Sequence, residues 1–76
     1  MGKEIRHKIG SKIKSYRKAK GLTQAELSEV THVKYKYVQQ IEGKNPPNLR
    51  VDTLQRIASG LKIPVWKLLQ SSNNNS

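Results

Sequence analysis

The stretch that decides the fold runs Thr23-Gln24-Ala25-Glu26-Leu27-Ser28-Glu29-Val30, then Thr31-His32-Val33, then Lys34-Tyr35-Lys36-Tyr37-Val38-Gln39-Gln40-Ile41-Glu42. Thr23 and Glu26 have the spacing of a capping box, in which the threonine hydroxyl accepts an early backbone N–H and the glutamate reaches back to the start. That predicts a short helix over residues 24–30, burying Ala25 and Leu27. Residues 31–33 read as a tight turn. A further helix fits residues 34–42, with Val38 and Ile41 on one face and Gly43 closing it.

Working toward the N-terminus, Ile5, Ile9, Ile13 and Tyr16 recur at helical spacing. They predict an amphipathic first helix whose other faces are covered by Lys and Arg. Gly21 stops it, and lysines crowd its last turn, where the helix dipole favours positive charge. Working toward the C-terminus, Asn45-Pro46-Pro47-Asn48 is a breaker-rich loop. A fourth helix fits residues 51–59, with Val51, Leu54, Ile57 and Ala58 inward and Gly60 as its stop. Pro64 suits the first turn of a fifth helix carrying Val65, Trp66, Leu68 and Leu69. No segment alternates as a strand would.

The fold class expected is all-α, a compact five-helix bundle whose second and third helices, joined by three residues, form a helix-turn-helix. Residues 1–70 form one domain. The polar run of Ser71, Ser72, Asn73, Asn74, Asn75 and Ser76 reads as a disordered tail. The core expected is Ile9, Ile13, Tyr16, Leu22, Ala25, Leu27, Val33, Val38, Ile41, Leu54, Ile57, Ala58, Leu61, Ile63 and Leu68.

Composition narrows the function. Fifteen Lys and Arg against five Asp and Glu give a formal charge of +10, with no Cys and 34% hydrophobic residues. No stretch approaches the roughly 20 apolar residues of a spanning helix, and no secretory signal is visible, so the expectation is a cytoplasmic chain. The surplus is concentrated in residues 1–20, where eight cations face only Glu4, and returns at Lys34, Lys36 and Lys44. So few carboxylates predict a polyanionic partner. Membrane binding by the first helix is disfavoured, because its isoleucine stripe is needed for the core. His7 and His32 are too isolated for a metal site, and neither a carboxylate pair nor a phosphate loop appears. The chain reads as a non-enzyme that holds no metal and needs no cofactor, with no site expected for a small-molecule effector.

The outward face of the third helix carries Tyr35, Lys36, Gln39 and Gln40. A packing helix has no need of so many long polar donors on one side. They suit a major groove, where Gln pairs bidentately with adenine, Lys donates to guanine, and Tyr reaches phosphate or a thymine methyl. The plain alternative is a solvated polar face.

Leu22-Thr23-Gln24-Ala25-Glu26-Leu27, Val38-Gln39-Gln40-Ile41-Glu42 and Asp52-Thr53-Leu54-Gln55-Arg56-Ile57-Ala58 together resemble the lambda-repressor-like (Cro/repressor, XRE-type) helix-turn-helix family. The likeness covers about residues 9–69. It implies a sequence-specific DNA-binding transcription regulator, dimeric on a pseudo-palindromic operator in double-stranded DNA. It implies further that Gln24 grips a phosphate and braces the reading helix, with Lys34, Tyr35, Lys36, Gln39 and Gln40 around the reading surface. Tyr37, Lys44 and Asn45 match backbone-clamping positions, and Arg17 with Glu42 matches an ion pair joining the first helix to the end of the third. Three departures stand out. His32 occupies a turn position that is usually Gly, Lys34 replaces the usual Ser or Thr cap, and the Pro pair in residues 45–50 leaves the start of helix four open.

Trp66 falls where a polar residue is usual, so Val65, Trp66 and Leu69 are candidates for a homodimer contact. The alternative is a Trp folded back over Ile63. A second functional class stays open: an antitoxin-type module that uses the same fold to sequester a partner toxin.

Overall fold

The computed structural model describes residues 2–70 and is helical, without a strand among them. In order the elements are α1 (Lys3–Ala19), α2 (Gln24–Thr31), α3 (Tyr35–Ile41), α4 (Val51–Gly60) and the single turn α5 (Trp66–Leu69). The polar run 71–76, expected to be a disordered tail, lies outside the described residues.

One core joins all five helices. Ile9 and Ile13 of α1 meet Leu27 of α2, Val38 and Ile41 of α3, Leu54, Ile57 and Ala58 of α4, and Leu68 of α5. Each fully buried aliphatic chain contributes about 1.5–3 kcal/mol. Tyr16, Leu22 and Ile63 are half-buried against this cluster. One expected core member is exposed, Ala25 in the first turn of α2. Val51, expected to face inward from α4, is 77% exposed as its first residue. Leu49, in the extended segment before α4, goes inward instead, together with Pro46. Ile5 also leaves the predicted stripe and stays exposed at the N-terminal end of α1.

The helix ends follow local chemistry. Gly21 takes a left-handed φ of 73°. Its N–H donates to the Lys18 carbonyl and that of Leu22 to the Arg17 carbonyl, which closes α1. The capping box of α2 is complete: the Glu26 N–H donates to Thr23 Oγ1 at 3.0 Å, and the Thr23 N–H donates to Glu26 Oε1 at 2.8 Å. His32 is left-handed with φ 60°, as its place in the turn demands. Buried Thr31 steadies that turn by donating to the Leu27 carbonyl at 2.7 Å and accepting from the Val33 N–H at 3.3 Å. Ser28 adds a bond to the Val33 carbonyl at 2.7 Å.

α4 ends one residue later than expected, and Gly60 is not its stop. The left-handed residue is Lys62, with φ 60°. The Lys62 N–H donates to the Ser59 carbonyl and the Ile63 N–H to the Ala58 carbonyl. Gly60 serves packing: a Cβ there would stand 2.5 Å from Thr31 Cγ2 and 3.3 Å from Val30 Cγ2. Gly10 does the same between α1 and α3, where a Cβ would collide with the Ile41 carbonyl oxygen.

Candidate nucleic-acid interface

α3 is held from behind and left bare in front. Val38 and Ile41 are buried, whereas Tyr35, Lys36, Gln39 and Gln40 are all exposed. At 3.6 residues per turn these four share one face. Gln39 donates through Nε2 to the Tyr35 hydroxyl at 3.2 Å, so one half of the face is internally linked. Lys36 and Gln40 form the other half, four residues apart on the same line. No part of the described chain covers this face.

The C-terminal end of α3 is pinned by one carboxylate. Arg17 Nε donates to Glu42 Oε2 at 2.8 Å, and Arg17 Nη2 donates to Glu42 Oε1 at 2.9 Å. Arg17 Nη1 donates to the Leu22 carbonyl at 2.7 Å. Gln24 Nε2 donates to the same Glu42 Oε1 at 3.0 Å. Both charged side chains are almost fully buried. The hydrogen bonds to Glu42 raise the Arg17 pKa against the opposing effect of burial. α1, α2 and α3 therefore meet at one charged node, and Gln24 sits beside it with part of its amide spoken for.

The remaining candidates flank the face unequally. Lys34 is the N-cap of α3 and makes no side-chain cap bond, leaving its ammonium outward. Lys44 and Asn45 are exposed just past the C-terminal end. Their loop is tied to α1: the His7 ring donates from Nε2 to the Lys44 carbonyl at 2.6 Å, and Arg6 Nη1 donates to Asn48 Oδ1 at 3.1 Å. Tyr37 is half-buried on the flank of α3, and its hydroxyl donates to the Asn48 carbonyl at 3.4 Å. Its first duty is thus to hold the loop. Val65 is half-buried against the core, while Trp66 and Leu69 are each 56% exposed on α5. Trp66 does not fold back over the bundle.

A short helix laid across a second one, with long polar side chains facing solvent in a strongly cationic chain, is the build of a helix-turn-helix nucleic-acid reader. The comparisons agree. The profile of the Helix-turn-helix family matches residues 13–65, and the chain belongs to that family, in its lambda-repressor-like, XRE-type branch. It is 34% identical over 65 residues to the HTH-type transcriptional regulator SinR of Bacillus subtilis, covering 86% of this chain and 59% of that one. The SinR of Bacillus licheniformis matches with the same figures. This chain thus spans about three-fifths of the length of those relatives.

Two solved structures carry the likeness into three dimensions. The N-terminal DNA binding domain of SinR from Bacillus subtilis superposes with a TM-score of 0.81 at 34% identity, covering 90% of this chain and 99% of that one. The restriction-modification controller protein C.AhdI from Aeromonas hydrophila gives 0.78 at 27% identity, with 83% and 94% covered.

Proposed function

We propose that this domain is a sequence-specific DNA-binding transcription regulator that inserts α3 into the major groove, with Tyr35, Lys36 and Gln40 reading base edges. The observation that carries this reading is the bare Tyr35–Lys36–Gln39–Gln40 face on a helix whose opposite side and far end are locked into the core. The likeness to the N-terminal DNA binding domain of SinR and to the restriction-modification controller protein C.AhdI supports it. Gln24, Lys34, Tyr37, Lys44 and Asn45 serve the DNA backbone, fixing register while the face reads sequence. Residues 1–70 act as one binding unit that does no chemistry of its own. No described helix is long and apolar enough to cross a membrane, in keeping with work in the cytoplasm.

The active form is a homodimer on a pseudo-palindrome with half-sites roughly 34 Å apart. Trp66 and Leu69 on α5 and Ile5 on α1 supply an exposed apolar surface. Beside them, Ile5, Lys8, Ile9, Leu68 and Leu69 line a groove of about 260 Å³. A second copy of the chain covers this surface, with Val65 contributing only its exposed edge.

Selection of binding sites from random duplex DNA at two salt concentrations tests the reading. A single enriched half-site sequence, bound less tightly at the higher salt, is the expected result. Recovery of unenriched sequence removes the specific-regulator reading.

A further inference from the structure

The contacts assigned so far to the DNA backbone gather mostly at one end of α3. Gln24 sits at the Glu42 node, and Lys44 and Asn45 follow directly after it. At the other end, His32, Val33, Lys34, Tyr37, Thr53 and Arg56 line a cleft of about 300 Å³ between the α2–α3 turn and α4. Two full cations enter this lining and no carboxylate does. Neither Lys34 nor Arg56 forms an ion pair among the described residues, and both are exposed. Thr53 brings a hydroxyl-bearing side chain to the same wall, and Tyr37, whose own hydroxyl is bonded to the Asn48 carbonyl, brings its ring. Two unpaired cations beside a hydroxyl, with no carboxylate in the lining, suit an oxyanion.

Its position identifies the source of the oxyanion. Lys34 immediately precedes Tyr35 and Lys36. At about 100° per residue, Tyr37 lies on the flank of α3 next to Lys36 and Gln40. The cleft therefore continues the reading face around the helix. α3 has seven residues, or roughly 10 Å at 1.5 Å per residue, close to the roughly 12 Å width of the major groove. Were its axis set across the groove, a helix of that length would bring each of its ends toward one wall of phosphates.

We propose that the cleft between the α2–α3 turn and α4 is a backbone-phosphate site, with Arg56 and Lys34 as its charges and Thr53 as a hydroxyl donor. It holds the strand opposite to the one gripped at the Gln24 end. The proposal rests on the DNA-binding reading above and adds a residue, Arg56, that belongs to α4 rather than to the reading helix. Two-ended anchoring sets how far α3 enters the groove and stops it rocking about the Glu42 node.

The test uses Arg56→Gln, which keeps much of the side-chain stem, and Arg56→Ala, each first checked for an unchanged melting temperature. Affinity is measured on the selected site and on random duplex over a salt series. The expected loss is about tenfold, equal on both duplexes, with the salt slope smaller by about one. A duplex carrying a neutral methylphosphonate at each backbone position in turn supplies the second readout. One position weakens the unaltered chain and leaves the Arg56 variants untouched. An unchanged salt slope, or a loss confined to the selected site, overturns the proposal while leaving DNA binding intact. Failure of the unaltered chain to bind any duplex overturns the parent reading and this site with it.

Discussion

Arg17 and Glu42 lie 25 residues apart in the chain and meet through two parallel N–H···O bonds of 2.8 and 2.9 Å, with both side chains shut away from water. The pair joins α1 to the residue that ends α3, and Gln24 of α2 shares its acceptor. A buried pair of this kind stabilises little in net terms, because desolvation offsets its attraction. Its effect is positional: it fixes where the reading helix ends.

Removing one partner is therefore far worse than removing both. Arg17→Met should cost about 3–5 kcal/mol by leaving the Glu42 carboxylate buried and unpaired, whereas Arg17→Met with Glu42→Leu should recover much of that loss. Urea unfolding of the two variants checks it. Equal losses would show that the pair acts through packing alone. The folded-state pKa of Arg17 is raised, so its share of the stability is complete at neutral pH and vanishes only as pH climbs through that strongly alkaline value.

Gly60 and Lys62 predict opposite signs two residues apart. Gly60→Ala places a methyl 2.5 Å from Thr31 Cγ2, in a contact that also supports the turn before α3. It should destabilise by about 1–3 kcal/mol, as overpacking does. Lys62→Gly relieves a left-handed φ of 60° and should stabilise by about 0.5 kcal/mol, after the larger entropy of an unfolded glycine is counted. Thermal melts decide it. Were Gly60 the helix stop, Gly60→Ala would raise φ strain and Lys62→Gly would do nothing.

What could be read in advance, and what could not, follows from the range of each interaction. The five helices, the capping box at Thr23 and Glu26 and the outward set Tyr35, Lys36, Gln39 and Gln40 are local patterns, visible as spacing along the chain. The fit of Arg17 to Glu42 came from resemblance, since no local rule pairs residues 25 apart. Gly60 misled because a glycine near a helix end looks like a stop, while its true neighbour is Thr31 on another helix. Gly10 carried a usable signal: a glycine inside a 17-residue helix costs about 1 kcal/mol against alanine, so it needs a tertiary reason. Leu49 replaced Val51 in the core because extended chain ahead of α4, rather than its first turn, faces inward. Arg56 gave no sign of its role, because periodicity puts it on a solvent face and cannot say what that face looks toward.

Trp66 and Leu69 predict concentration-dependent association. Trp66→Ala should shift the monomer–dimer balance toward monomer in sedimentation, with little change in the melting temperature measured where the chain is monomeric. Ile5→Ser should act in the same direction, since Ile5 is exposed next to Leu69 across the α1–α5 groove. Large apolar side chains more than half exposed gain from being covered. A balance unmoved by both substitutions would place the contact elsewhere or dispense with the dimer.

Gln40 and Gln39 should differ although they are neighbours on one face. Gln39 is already bonded to the Tyr35 hydroxyl, so Gln39→Ala mainly frees Tyr35. Gln40 lies in line with Lys36 on the unlinked half of the face, with both ends of its amide available to an adenine edge. Gln40→Ala should cost about 1–3 kcal/mol on the selected site and flatten preference at one base pair, with the salt slope unchanged. Arg56→Gln should do the reverse, lowering the salt slope and leaving the preferred sequence alone. Binding isotherms on the selected duplex and its single-base variants separate the two behaviours. If Gln40→Ala weakens every duplex alike, then α3 meets the DNA through its other half, and Tyr35 with Gln39 becomes the reading pair.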